Sequence, residues 1–365
     1  MSVVLVACGF NANGQLLPFA DTLEIGPSHN IPDDITEPSI VASGNKTVNV
    51  LFAGWSDTLL EIDGRLYLRG ADAYGKQLVL ELPKDQDPPH LFIEAFGDHT
   101  GMKGVLRRNK DVLFLVKDLE SGSVKLNPAS TNFEDVVKIT VAGNGKVCAV
   151  RDRNKVILWA DFDAFASQEE PEETFDLSDR TSEIIELDSN ESTFTFLTTK
   201  GQVFTFGDPR HNNLGRSSEP HTLLASEPNI VDALDGVPIA HISSSGWITA
   251  ALSKQKDLYI WGGRAGDEEL VEGLSGLESG EVSLVNLPNG LDVKDVAVGA
   301  GHIIVLTVDG RVWAAGRGEN GQIGVANTGF QSVWKELETL VGDGKAKKVF
   351  AGGWGTFIRF SGNSE

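Results

Sequence analysis

Two cysteines in 365 residues, Cys8 and Cys148, are too few for a disulfide framework or a cysteine-based metal site. Bases are scarce too. Thirty-one Lys and Arg stand against 52 Asp and Glu, a formal net charge of −21 at pH 7. A field of that sign repels phosphate backbones and acidic lipid surfaces. Direct binding of nucleic acid or membrane is therefore disfavoured, and a basic protein partner fits better. Long apolar runs are also missing, since none approaches the roughly 20 residues of a membrane span. The opening SVVLVACGF lacks a basic n-region and a small-residue cleavage site, so no secretory signal is expected. The expected setting is cytoplasmic, nuclear or both.

Catalytic signatures are missing as well. The chain contains no G-x-S-x-G, no P-loop and no zinc-ligand spacing. Its seven histidines, His29, His90, His99, His211, His221, His241 and His302, show no i, i+4 pairing that would suggest a helical metal site. No enzyme activity, catalytic residue, metal or cofactor is expected. One stretch argues the other way. VWAAGRGENGQIG (312–324) carries Gly316, Gly318 and Gly321 at the G-x-G-x-x-G spacing of dinucleotide-binding loops. Such a loop needs a strand before it and a helix after it, so that free N–H groups meet the pyrophosphate. The residues that follow, QIGVANTG, make a poor helix, so the glycines need another explanation.

Forty glycines and 41% hydrophobic residues supply that explanation when the chain is compared with itself. VGAGHIIVLTVDGRVWAAGRGENGQIG (298–324), AGWSDTLLEIDGRLYLRGADAYGKQL (53–78), SSGWITAALSKQKDLYIWGGRAGDEEL (244–270) and ESTFTFLTTKGQVFTFGDPRHNNLG (191–215) share one order. Each reads as apolar strand, polar turn, apolar strand, then a glycine-containing loop. The turn dipeptides Asp63-Gly64, Lys200-Gly201, Lys256-Asp257 and Asp309-Gly310 are hairpin signals. Weaker copies lie at 94–116 and 141–160. The last copy is split between VFAGGWGTFIRF (349–360) and VVLVACGFNANGQL (3–16). Taking Gly54, Gly97, Gly143, Asp188, Gly246, Gly299 and Gly353 as one shared slot gives seven units averaging about 52 residues, the size of a four-stranded blade. The expected fold is an all-β, seven-bladed β-propeller over residues 1–365. One blade is closed by both termini, so that no open edge remains. In this reading the glycines of 316–321 serve backbone turns.

The repeat resembles that of the regulator-of-chromosome-condensation family, approximately V-x-x-G-x-x-H-T-x-x-L followed by D-G-x-V-Y-x-W-G-x-N-x-x-G-Q-L-G. VAVGAGHIIVLTVDGRVW (296–313) and GENGQIG (318–324) carry the match, and Gly54-Trp55, Gly246-Trp247 and Gly353-Trp354 resemble its frequent G-W opening. The resemblance implies a seven-bladed propeller. In length and compactness the chain is similar to the small members of the family, among them the fungal killer-toxin-insensitivity (α-tubulin suppressor) group. That implies a scaffold binding a small CSL-type zinc protein in Elongator-dependent tRNA wobble modification and diphthamide synthesis. The family also implies two alternatives: guanine-nucleotide exchange on a Ran-like GTPase, and partnership with a JmjC-type oxygenase. A photoreceptor's G-W-R-H-T motif is not matched, because Ser56, Ile248 and Gly355 replace the arginine.

The expected partner-binding set is Trp55, Asp57, Trp247, Arg264, His302 and Trp354. The tryptophans follow the shared glycine, where aromatic anchors on loops make hot spots and where blade-to-blade packing is the competing role. His302 fills the family's His slot, where a hydrogen bond inside the blade is the usual task. DFDAFASQEEPEETFDLSD (161–179) carries eight acids and no base. It reads as a solvated loop or as a flexible arm that folds onto a basic partner. The protein is expected to be monomeric.

Overall fold

A computed structural model describes residues 2–18, 33–70, 79–81, 92–107, 111–117, 123–129, 133–209, 212–216, 225–263, 281–326, 329–337 and 345–361. Strand β1 (Val3–Gly9) and β2 (Ile35–Gly44) open the chain. Blade 1 holds β3 (Val48–Ala53), β4 (Asp57–Ile62) and β5 (Arg65–Gly70), followed by the short β6 (Val79–Glu81). Blade 2 holds β7 (Phe92–Asp98), β8 (Gly101–Arg107), β9 (Val112–Lys117) and β10 (Ser123–Pro128). Blade 3 holds β11 (Val136–Val141), β12 (Val147–Arg151), β13 (Lys155–Trp159), helix α1 (Phe162–Ala166) and β14 (Glu173–Asp176). Blade 4 holds β15 (Ile184–Ser189), β16 (Thr193–Thr198), β17 (Val203–Gly207) and β18 (Asn229–Ile230). Blade 5 holds β19 (Ile239–Ser245), β20 (Ile248–Ser253), β21 (Leu258–Gly262) and β22 (Ser283–Val285). Blade 6 holds β23 (Val293–Gly299), β24 (His302–Thr307), β25 (Val312–Arg317) and β26 (Phe330–Leu337). Finally β27 (Ala346–Gly352) and β28 (Gly355–Ser361) join β1 and β2 in the order β27-β28-β1-β2 to make blade 7.

The expected seven-bladed propeller is present. The innermost strands β3, β7, β11, β15, β19, β23 and β27 each touch the next, and β27 touches β3, so the ring closes. The seam is the continuous antiparallel pairing of β1 with β28, from Val3 opposite Ser361 to Gly9 opposite Gly355. Five blades have four strands. In the other two the edge is shared unequally, because β6 leaves blade 1 and pairs in parallel with β10 at the rim of blade 2. An outer strand has an unpaired backbone edge, and a three-residue segment can satisfy either neighbour's.

The apolar core is divided in the same way. Seven clusters of buried side chains each join two adjacent blades, such as Phe357 and Leu5 of blade 7 against Leu60 and Val48 of blade 1. Strands buried on both faces read as apolar runs, which is why VVLVAC and HIIVLT lack clean alternation.

The pairing refines the register of the repeat. The pair that closes each inner hairpin is Gly54–Asp57, Asp98–Gly101, Ala142–Lys146, Asn190–Thr193, Ser245–Ile248, Gly299–His302 and Gly352–Gly355, its earlier member lying at the end of the innermost strand or one residue past it. Of the seven expected slot residues only Gly54 and Gly299 hold that place. Gly97 falls one residue short and Asp188 two, while Gly143, Gly246 and Gly353 lie one beyond. Glycine recurs near this point for two different reasons, strand-end packing and a turn needing positive φ (Gly353, φ 51°), and sequence comparison merges them.

The G-x-G-x-x-G stretch is structural. Gly316 is the penultimate residue of β25 at φ 106°, and a Cβ there would lie 2.4 Å from the Gly301 carbonyl oxygen. Gly9 at the end of β1 has the same relation to the Trp354 carbonyl, at 2.2 Å. Only glycine lets the third strand close on the hairpin beside it.

The segment 161–179 is neither a free loop nor an arm. Asp161 caps α1 by accepting the Ala164 N–H, Phe165 is fully buried among Phe96, Phe133 and Trp159, and Glu173–Asp176 form the outer strand β14. Its acids face outward because its phenylalanines face in.

Candidate partner-binding face

Adjacent strands alternate in direction. The inner hairpin joining first and second strands and the outer loop joining third and fourth therefore leave each blade on one side, here the upper face. Backbone hydrogen bonds link these hairpins around the axis: Trp55 N–H to the His99 carbonyl, Glu191 N–H to Gly246 and Ala300 N–H to Gly353. The upper face is thus a rigid rim and not a set of independent loops.

Split blade 7 supplies an exposed apolar feature of that face. The outer loop after β1 places Phe10 against Trp55 at 5.8 Å, stacked within 12°, and edge-on to Trp354 at 5.5 Å. Trp55 and Trp354 meet at 6.2 Å and 76°, and remain 40% and 38% exposed. The loop itself is fixed. Gln15 Nε2 donates to the carbonyls of Phe10 (2.8 Å) and Trp55 (2.9 Å), and Phe10 N–H donates to the Trp354 carbonyl. The G-Q-L ending of the repeat is therefore a latch from blade 7 onto blade 1. Two expected tryptophans are brought together. Trp247 sits, half-buried, in the corresponding hairpin of blade 5, two blades from Trp354. Phe10 escaped the sequence reading, although a signal existed. It is aromatic where the other copies carry Ala71, Asp208, Gly263 and Arg317 after the corresponding glycine.

Asp57 and His302 are corrections. Both side chains are fully buried, and in the refined register they are the same position, the first residue of the second strand. Asp57 accepts the Met102 N–H of blade 2 at 3.0 Å, and His302 Nε2 lies 3.0 Å from Thr356 Oγ1 of blade 7. They lock neighbouring blades and present nothing to a partner. Arg264 lies outside the described residues.

Burial pushes the His302 pKa down to about 4, so the ring is neutral at physiological pH. A folded value below the ordinary 6.5 means that this stabilisation is complete above pH 6.5 and is lost as pH falls toward 4. The span corresponds to about 3 kcal/mol. Melting temperatures measured from pH 7 to 4 should fall less steeply for His302→Gln than for the parent, and identical slopes would contradict this assignment. Both cysteines are fully buried, with thiols pushed far above their ordinary range, so neither is reactive.

The axial channel carries a second feature. In six blades a bulge in the innermost strand precedes a polar side chain: Glu94, Lys138, Glu186, His241, Asp295 and Lys348. Their signs alternate around the ring when His241 is protonated. Lys138 Nζ donates to Glu94 at 3.0 Å, and His241 Nδ1 lies 3.1 Å from Glu186. Burial alone would lower the His241 pKa, but Glu186 and Asp295 hold it above its ordinary value. Acids here also cap backbone of the next blade. Glu186 accepts the Ile242 N–H, Asp188 the Ser244 N–H and Asp295 the Val349 N–H, at 2.8, 2.7 and 3.1 Å.

Charge is distributed unequally between the faces. Among the described residues, upper-face hairpins and loops carry twelve Asp and Glu against two bases, Lys146 and Arg216. Lower-face connections carry twelve acids against eight bases. The aromatic step thus stands on the more acidic side. Among the described residues no group of three His, Cys, Asp or Glu side chains is placed to hold a metal ion, and no helix is long and apolar enough to cross a membrane.

Prp20p of Saccharomyces cerevisiae superposes on 100% of this chain and 93% of its own, with a TM-score of 0.70 at 15% identity. Human WBSCR16 does so over 100% and 99%, also at 0.70 and 15%. Residues 293–322, from β23 into the outer loop of blade 6, match the regulator of chromosome condensation (RCC1) repeat. This chain is a seven-bladed β-propeller that carries an RCC1 repeat in blade 6. Human RCC1 domain-containing protein 1 is 27% identical over 199 residues, which cover 44% of this chain and 52% of that protein. The matched part of this chain therefore spans about half the length of that relative.

Proposed function

We propose that this RCC1-type propeller, taken as one domain over residues 1–365, is a non-enzymatic platform that docks a basic protein partner on its upper face. The observation that carries the proposal is the exposed step of Phe10, Trp55 and Trp354 set on a rigid, acidic rim. Exposed aromatics held by backbone hydrogen bonds lose little entropy on binding, and surrounding acids speed the approach of a basic partner. Trp247 extends the proposed rim. The family resemblance supports a small CSL-type zinc protein as partner, in a cytoplasmic or nuclear setting, with the propeller serving Elongator-dependent tRNA wobble modification and diphthamide synthesis. Titration of such a purified zinc protein into the propeller should show saturable binding that weakens as salt rises. No heat of binding at low salt would remove that partner and favour the JmjC-type oxygenase.

A second reading is supported by the likeness to Prp20p, whose reported binding properties concern Gsp1p and histones. An exchange factor would accelerate release of labelled nucleotide from a Ran-like GTPase. The platform reading expects the release rate to stay unchanged, and acceleration would replace it.

A further inference from the structure

Where the axial channel opens on the upper face it widens into a cavity of about 210 Å³, bounded by the ends of all seven innermost strands. Much of the wall is backbone, because Gly97, Gly143, Gly246 and Gly352 put no side chain into it. Two polar residues of β15 and its hairpin stand out. Asp188 accepts the Ser189 and Ser244 N–H groups at 2.8 and 2.7 Å, which uses two of about four acceptor sites of a carboxylate. Asn190 lines the same cavity and is 4% exposed. Its Oδ1 accepts from Ser192 N–H, Thr193 N–H and Thr193 Oγ1, while its Nδ2 has no partner among the described residues. A buried donor without an acceptor costs free energy until something supplies one.

We propose that this mouth receives the cationic side chain of a lysine or arginine from a docked protein, with its charged end at Asp188 and its peptide carbonyl at Asn190. The spacing fits. Two residues along a strand span about 6.6 Å, comparable with the reach from a peptide carbonyl to the end of an extended lysine or arginine side chain. The guest is an organic cation, because the described residues form no metal-binding group. The neighbouring aromatic step does not serve as a cage. Its rings lie 5.5 to 6.2 Å apart and occupy each other's contact surface, so it offers an outer wall for the rest of the peptide. The occupant is basic by charge complementarity, since Glu191, whose carboxylate lies 3.9 Å from His99 Nδ1, adds a further carboxylate at the rim.

The charges facing Asp188 give the site a pH signature. Glu186 lies on its own strand, His241 on β19, Glu94 on β7 and Lys138 on β11. Burial raises the Asp188 pKa to about 7, against the two N–H groups and His241. A cation is held by the ionised carboxylate, so affinity rises as pH goes from 6 to 8. Loss of the proton from His241, whose pKa Glu186 and Asp295 hold above its ordinary value, acts in the same direction.

The inference rests on the docking reading but is tested without the partner. The probe is N-acetyl-L-arginine methylamide, with the neutral citrulline analogue as control, followed by the indole N–H resonances of Trp55 and Trp354. Saturable binding is expected for the arginine compound, at least tenfold tighter than for citrulline, stronger at pH 8 than at pH 6, and lost in Asp188→Asn. Asparagine can still accept the Ser244 N–H, so that variant is expected to fold. Should it not, Ser245→Lys places a tethered ammonium at the mouth and must abolish binding by competition. Equal binding of arginine and citrulline, or undiminished binding by whichever variant melts cooperatively, overturns the proposal. Probe failure beside intact partner binding overturns this site alone and leaves the docking face standing.

Discussion

A chain ending at Lys348 should lose its cooperative melt and either unfold or associate. The cut takes all of β28 from the centre of blade 7 together with Val349–Gly352 of β27, and exposes the backbone edge of β1. It also removes Val349, Phe357, Ile358 and Phe360, each at most 2% exposed, from the clusters joining blade 7 to blades 6 and 1. Losing one such side chain costs about 2–5 kcal/mol, and a domain's whole stability is about 5–15 kcal/mol. Four losses exceed that margin. Size-exclusion chromatography and a thermal melt decide it. A truncated chain that stays monomeric and melts like the parent would contradict the closure by β1 and β28.

Trp55→Ala and Trp354→Ala should each weaken partner binding by roughly 2 kcal/mol or more, the range of aromatic hot spots, or about thirtyfold in Kd. Both rings are more than one-third exposed, so truncation removes less packing than at the fully buried Trp261. Each replacement also strips a neighbour from Phe10, and the two effects should not add, because the rings touch. Calorimetry on variants whose melts stay cooperative reads the loss. Should both bind like the parent, the step is a packing device for the split blade. Binding would then have to be sought around Trp247 or on the lower face.

The local terms of the fold were legible. Asp63-Gly64 predicts a tight hairpin, and the chain makes one with both residues at positive φ, 49° and 86°. Apolar runs at an average spacing of about 52 residues predict four-stranded blades, and the matching halves at the termini predict the seam. Legibility ended where one residue of register matters. Gly54-Trp55 and Gly353-Trp354 look alike, yet Gly54 pairs with Asp57 at the base of its hairpin whereas Gly353 lies inside the turn at positive φ, so the two tryptophans occupy successive hairpin positions. Asp57 and His302 were chosen for chemical type. A buried latch and a surface contact have the same composition, and burial belongs to the neighbouring blade.

The sequence by itself determined the repeat, the hairpins, the seven blades and the net charge, because each follows from contacts between residues close in the chain or from simple counting. The tertiary structure decided what the charges and aromatics do. Bulges turn Glu94, Lys138, Glu186, His241, Asp295 and Lys348 toward one axis, and ring closure brings Phe10 beside Trp55 and Trp354 from opposite ends of the chain. Alternating strand direction gathers most of the described loop bases on the lower face, while the acids divide equally between the two. Each of these depends on pairing across blades, where a shift of one residue sends a side chain to the other side of the sheet.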